Sequence, residues 1–414
     1  MSQIRPFRGV RPRPDAAKEV ASPPYDVLSS DEARALVKDN PNSFLRVNKP
    51  EVDFDAGADT YSDAVYLRGK ENLARLISDG LMFKDDKPGL YLYRLTWQGR
   101  SQTGLVTLSS CAEYDAGLIK KHEHTRPVKV SDRADHIQTL GAQVGPVFSI
   151  YRHEDAIDAL FKAATDRAPD YDYATPDDVR HEMWVVQDEA AINGLVDAFG
   201  GLEAIYIADG HHRSAAGSEV ARRRAAENPD HTGEEHYNFF LNVIFSDAET
   251  RILPYNRAVK TLGGLSADDF LAKIADRFEV AEQDAPFQPE RPHDYGMYLA
   301  GRWYSITCRE GTYETVDPAE SIDSAVLTAN LLAPVLGIED LRTDDRIDFI
   351  GGIRGLAELE KLVDQGTHEV TFSLYPASVA QLLAVADADQ VMPPKSTWFE
   401  PKLRSGMVVN LLAE

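Results

Sequence analysis

Residues 204–228, AIYIADGHHRSAAGSEVARRRAAEN, change character across two positions. Ile205, Tyr206 and Ile207 form a short apolar run of strand type. Asp209-Gly210 is a turn dipeptide, and glycine permits a positive φ there. A helix is expected to start near His211–Ser214. Such a strand–turn–helix unit constrains the chain strongly, because its strand needs sheet neighbours and its helix needs a surface to cover.

The rest of the chain alternates in the same way. A helical run over 59–82 closes on an Asp-Gly stop. Two β-rich runs around QGRSQ read as a hairpin over 89–110. A helix over 154–166, a strand over 181–188 and a helix over 189–199 follow. YNFFLNVIFSDAETRILPYNRAVK, 237–260, is expected to form a hairpin with SDAET as its turn. A capped helix over 266–278 opens a further region, which holds another helix over 377–386. The expected class is α+β (mixed α/β) with largely antiparallel sheets. Its expected regions are 1–115, 116–262 and 263–414.

With 414 residues, 43% of them hydrophobic and 27% charged, there is ample material for two or three cores. The net charge of −23 repels polyphosphate backbones, so broad nucleic-acid binding is not expected. Cys111 and Cys308 lack CxxC spacing or nearby histidines, which fits neither a disulfide framework nor a zinc site. MSQIRPFRGVRPRP has no apolar core of a secretory signal. No apolar run reaches the ~18 residues of a membrane span. A cytoplasmic protein is expected.

Three stretches carry chemistry. In ADGHHRSAAG the first-turn N–H groups of the helix and its dipole favour an anion. Arg213 can add a bidentate phosphate contact, and His211 and His212 can donate to phosphate or orient a substrate. Ala215, Ala216 and Gly217 allow another backbone to approach. The alternative is that Asp209 merely caps the helix. KKHEHTRPVKVSDRADH, 120–136, sets Glu123 among Lys120, Lys121, His122, His124, Arg126 and Lys129. That field favours the ionised carboxylate, which can accept a proton from a hydroxyl. A metal shared by His122 and His124, or a solvated loop with salt bridges, are the other readings of this stretch. MPPKSTWFEPKLRSG, 392–406, stiffens Lys395, Ser396 and Thr397 with two prolines. It lacks the glycines of a P-loop, yet can bind phosphate or carboxylate, or simply pack on the core through Trp398 and Phe399. SPPYD (22–26), Tyr255 with Arg257, and Asp344, Asp345 and Asp348 are smaller candidates, the last more in keeping with a solvated turn than with Mg2+. GxSxG, HExxH and GxGxxG are absent.

The DGHHR box after a strand resembles that of the ParB/sulfiredoxin-like superfamily, and within it that of the free serine kinases. Those enzymes carry an upstream His-Glu pair similar to KHEHT, whose Glu is the catalytic base. The whole chain also resembles a prokaryotic family catalogued as a domain of unknown function, DUF1015. RPFRGVRP, SPPYDV, the central HE-T and DGHHR stretches and the PPKST tail carry that resemblance. The kinase likeness covers the middle third and implies a ParB/sulfiredoxin-like central region that binds nucleotide. It implies a phosphotransferase acting on the hydroxyl of free L-serine or a similar metabolite, with ATP or ADP as donor and Mg2+ as its ion. Glu123 would then be the base, with His212 beside it as a catalytic group. Asp209, Gly210, His211, Arg213 and Ser214 would hold the nucleotide, joined by Lys395, Ser396 and Thr397. His124, Thr125, Arg133 and Arg404 would contact the acceptor, and Asp209 would also serve the metal. The main alternative is a ParB-like nucleotide-binding regulatory module. Glu123 and Asp209 stand 86 positions apart, farther than in the small kinases. Either residues of about 150–185 are an insertion, or Glu123 is not the equivalent base.

Overall fold

In a computed structural model, which describes residues 3–413, the expected strand–turn–helix unit is present. Ile205–Asp209 is a strand, Gly210 has a φ of 96°, and the helix runs His211–Glu227. A side chain at residue 210 would be strained in this left-handed turn, which explains the glycine. Other expectations hold closely. Helices occupy Asp63–Ser78, Asp155–Thr165, Glu189–Gly200, Ala267–Ile274 and Val379–Asp387. Ser29 and Ser378 each close a capping box with the side chain three residues on, Glu32 and Gln381. Leu90–Trp97 and Arg100–Ser110 form the expected hairpin. Gln98 and Gly99 both have positive φ there, as a tight two-residue turn requires.

The chain forms two compact units. The first comprises Met1–Thr250 with Pro401–Glu414, and the second Arg251–Glu400. This division differs from expected borders at 115 and 262. The reason lies in strand pairing. Phe239–Ser246 joins Arg100–Ser110 on one side and Val147–Tyr151 on the other, so residues on both sides of position 115 share one sheet.

The sheet of the first unit has nine strands among the described residues. From one edge it runs Ile119–Lys120, Ile205–Asp209, Val147–Tyr151, Phe239–Ser246, Arg100–Ser110, Leu90–Trp97, Arg180–Val186 and Tyr171–Ala174. Ile4–Arg5 adds to Arg100–Ser110 off this path. Most pairs are antiparallel. Two are parallel: Ile119–Lys120 with Ile205–Asp209, and Val147–Tyr151 with Phe239–Ser246. Leu105, Tyr151, Ile205, Ile207 and Ile244 line one core on one of its faces. The helix after the box packs close to the sheet because residue 217 is glycine. A Cβ there would lie 2.9 Å from the Phe240 Cβ. The same helix packs through Ala216 and Val220 against Ala134 and Ile137 of the helix Pro127–Leu140.

The second unit is built on a six-stranded, antiparallel sheet with its own core, including Phe270, Tyr295, Met297, Leu331 and Phe372. The hairpin expected over 237–260 does not form. Phe239–Ser246 belongs to the first unit, whereas Arg251–Leu253 pairs with Trp398–Glu400 and Tyr255–Val259 with Ile347–Gly351 in the second. Phe239–Ser246 is buried at every position and takes two long-range neighbours instead of the adjacent one. SDAET thus contains the crossing between units, at Thr250. Cys111 and Cys308 are buried free thiols. No helix among the described residues is long and apolar enough to cross a membrane.

Candidate functional site

Parallel pairing of Ile119–Lys120 with Ile205–Asp209 sets the ends of both strands side by side. The loop 121–126 leaves one end, and the DGHHR turn leaves the other. The sheet register shifts between Ile207 and Asp209. A bulge of this kind re-aims a side chain at the end of a strand. Here it precedes Asp209, whose carboxylate does not cap the helix. Lys402 Nζ donates to Asp209 Oδ2 at 2.9 Å, and Arg213 Nη2 lies 3.5 Å from Oδ1. Burial works to raise the Asp209 pKa. Lys402 and Arg213 more than offset that, and the carboxyl sits well below its usual range. No side chain caps the first turn of the helix.

Glu123 and the box meet. Glu123 Oε2 lies 3.8 Å from His211 Nδ1. A second link joins the same segments, since the Arg126 N–H donates to His212 Nε2 at 3.1 Å. The His122 and His211 rings meet edge to face, with centroids 4.5 Å apart. Both are sealed from solvent, at 2% and 4% exposure. Burial pulls the His122 pKa down to about 4. It pushes that of His211 well below the ordinary value, helped by the neighbouring His122. Both rings are therefore neutral at pH 7. His211 Nε2 has no hydrogen-bond partner, and neither nitrogen of His122 closes a full hydrogen bond, although the Ile207 backbone lies beside it. Buried nitrogens left open in this way are uncommon and call for an explanation.

Arg213 turns back from the helix. Its Nη1 donates to the Pro146 carbonyl, and its Nη2 reaches Asp26 Oδ2 at 3.3 Å as well as Asp209. Gly210 lies close against this guanidinium, and a Cβ there would stand 3.0 Å from Arg213 Cζ. Ser214 is fully buried and donates to the His211 carbonyl at 3.0 Å, on the inner side of the helix.

The other expected residues are placed as follows. His124 is exposed and Thr125 half-buried in the loop beside Glu123. Arg133 is held by Asp132 at 2.8 Å, and its guanidinium stacks 4.5 Å from the Tyr25 ring centre. Arg404 is buried elsewhere in the first unit. It donates to Asp177 at 2.6 Å and to Thr175 at 3.2 Å, beside His181. Lys395, Ser396 and Thr397 belong to the second unit. There Lys395 is exposed with a φ of 57°, and Ser396 bonds to Ser324 at 2.7 Å. Arg257, fully buried, donates to the Lys395 carbonyl at 3.0 Å and braces this loop. Asp344 pairs with Arg346, and Asp348 with His368 and Lys260. Among the described residues no group of three or more His, Cys, Asp or Glu is arranged to hold a metal. Asp209, expected to serve Mg2+, already has cations on both oxygens.

Two contributors escaped the residue-level reading. Lys402, the partner of Asp209, lies 193 positions away in the tail stretch. Its signal was only the density of cations in MPPKSTWFEPKLRSG. Asp26, the partner of Arg213, comes from SPPYD, 187 positions away.

The fold and this cluster define a mixed α/β protein with a charged, partly desolvated site at the ends of two parallel strands. The chain belongs to the family described as "Protein of unknown function (DUF1015)", whose model matches residues 4–325. Free serine kinase in complex with AMP is similar in structure at a TM-score of 0.36, with 12% identity over 71% of this chain and 86% of that one. A conserved hypothetical protein from Pyrococcus furiosus is similar at 0.36, with 13% identity over 74% of this chain and 95% of that one. SbnI with C-terminal truncation from Staphylococcus aureus is similar at 0.37, with 10% identity over 74% and 87%. No curated protein matches the chain.

Proposed function

We propose that the chain is a small-molecule phosphotransferase. A nucleoside di- or triphosphate is the donor, and the hydroxyl of free L-serine or a similar metabolite is the acceptor. The observation that carries this reading is the meeting of Glu123 with His211 at an uncapped helix N-terminus, beside buried ring nitrogens that lack partners. Phosphoryl transfer asks for anion-binding groups and an aligned nucleophile rather than covalent help. The helix N-terminus and His211 supply neutral donors for phosphate oxygens. Glu123 takes the proton of the acceptor hydroxyl as its oxygen bonds to phosphorus and the bond to the departing nucleotide breaks. Lys402 and Arg213 keep Asp209 ionised, and Asp209 in turn holds Arg213 in place. With both its oxygens so engaged, no step is assigned to a metal on Asp209.

The test is a phosphotransfer screen. The full chain is incubated with ATP or ADP and Mg2+ and with pools of hydroxyl metabolites including L-serine, and nucleotides are separated by chromatography. The expected result is acceptor-dependent ADP from ATP, or AMP from ADP, reduced by at least about 100-fold in Glu123→Gln while nucleotide still binds. Nucleotide that binds but never turns over with any acceptor points instead to a ParB-like regulatory module. Absence of nucleotide binding defeats both readings.

A further inference from the structure

Beside Arg213 the first unit contains a cleft that the phosphotransfer reading leaves without a role. Its cavity volume is about 30 Å³, room for roughly two water-sized groups, and beyond that it opens to solvent. Tyr25, Asn48, Arg133, His136, Gln143 and Arg213 supply its polar lining, and Val147 and Phe240 part of its apolar wall. Two of these polar groups have unused capacity. Asn48, 3% exposed at the end of the short helix Leu45–Asn48, has no partner for its Nδ2. Arg213, 9% exposed, spends both terminal nitrogens on Pro146, Asp26 and Asp209, yet its Nε is open. Both open groups are donors only, and one is cationic. A fold seldom buries such donors without an acceptor. Arg133 adds a second guanidinium, already paired with Asp132 and stacked on Tyr25.

We propose that this cleft binds a small organic acid, with its carboxylate received by Arg213 Nε and Asn48 Nδ2 and its carbon body against Val147 and Phe240. A planar, singly charged head with two oxygens suits two spare donors. A phosphate dianion suits the cleft less well, because it is harder to strip of water against an apolar wall and meets the carboxylate of Asp26 close to Arg213. The cleft shares Arg213 with the first turn of the box helix, and its occupancy does not require turnover.

Calorimetric titration of the full chain, with no nucleotide present, tests this. The probes are propionate and L-alanine, neither of which has a hydroxyl to accept phosphate, the primary amide of each, and inorganic phosphate. Saturable binding of at least one acid is expected, with its amide weaker by about tenfold or more, since the amide loses the charge on the accepting oxygen. Asn48→Leu should weaken the same acid by a similar factor while the protein still unfolds cooperatively. If that variant does not fold, the comparison of acid with amide on the unaltered protein decides. Equal binding of acid and amide, binding of no acid, or binding of phosphate alone would overturn the proposal. Because nucleotide is absent, none of these outcomes bears on the phosphotransfer reading.

Discussion

Asp209 shows how a single side chain organises this site. It sits between Lys402 and Arg213, with 29% of its side chain exposed and 16% of that of Lys402. Replacing Lys402 with methionine leaves a partly buried carboxylate with one cation fewer. The expected loss is roughly 2 kcal/mol, between an exposed pair and a buried one. Its pH dependence has a definite sign. The folded-state pKa of Asp209 is depressed, so its contribution to stability is complete above the unfolded value of about 4 and disappears as pH falls through the folded value. Urea unfolding of the protein and of Lys402→Met should therefore differ by a constant amount from pH 5 to pH 8. The two should converge as the solution is made more acidic than about pH 4. A gap that widens in acid would mean that Lys402 does not act through Asp209. This pairing illustrates what residue-level reading reaches and what it misses. The anion-favouring turn at Asp209-Gly210 could be read from residue chemistry, and so could a carboxylate among cations at Glu123. That Glu123 lies against His211 and Lys402 against Asp209 depends on strand order and on the return of the tail, neither of which leaves a local pattern.

At the scale of elements, the box helix reaches its place because Gly217 lets it approach Phe240. Gly217→Val forces extra carbon into that contact, and overpacking of this kind costs about 1–3 kcal/mol. Gly200, the last residue of the helix Glu189–Gly200, has open space where a Cβ would stand. Gly200→Ala is expected to be neutral or to stabilise by about half a kcal/mol, because alanine narrows the unfolded ensemble. Thermal melts of the two variants separate close approach from a general intolerance of glycine replacement, and equal destabilisation would refute the packing argument. Elements whose signals are local were legible: the turn at Gln98-Gly99, and helices with a clear apolar face such as Asp63–Ser78 and Asp155–Thr165. The hairpin expected over 237–260 was not, and its failure has a physical cause. Phe239–Ser246 is buried on both faces, so its composition states only that it needs two neighbours. Which strands those are is settled by the whole sheet. Residues of about 150–185, the suspected insertion, show the same dependence. Asp155–Thr165 is a helix, and Tyr171–Ala174 and Arg180–Val186 extend the sheet at the edge opposite Ile119–Lys120. They lengthen the chain between Glu123 and the box without parting them.

For the whole molecule, the notable fact is that the chain leaves one unit at Thr250 and re-enters it at Pro401. The intervening unit begins and ends on one short ladder, with Arg251 opposite Glu400, Ile252 opposite Phe399 and Leu253 opposite Trp398. Its two ends are therefore neighbours, as they must be for a segment inserted within another unit. It also has its own six-stranded sheet and an apolar core that includes Phe270, Tyr295, Leu331 and Phe372. A chain of about 150 residues buries about 70% of the surface it exposes when unfolded, enough for independent stability. Residues 251–400 expressed alone should then fold, with dispersed amide signals and a single cooperative transition in urea. The ladder at its ends should matter to that stability, since it closes the sequence on itself. Phe399 is 1% exposed opposite Ile252, and truncating it to alanine should destabilise the fragment by about 3 kcal/mol. A fragment without cooperative unfolding would mean that its sheet needs the remainder of the chain. Positions 251 and 400 would then mark a change in contact density and not a boundary of folding.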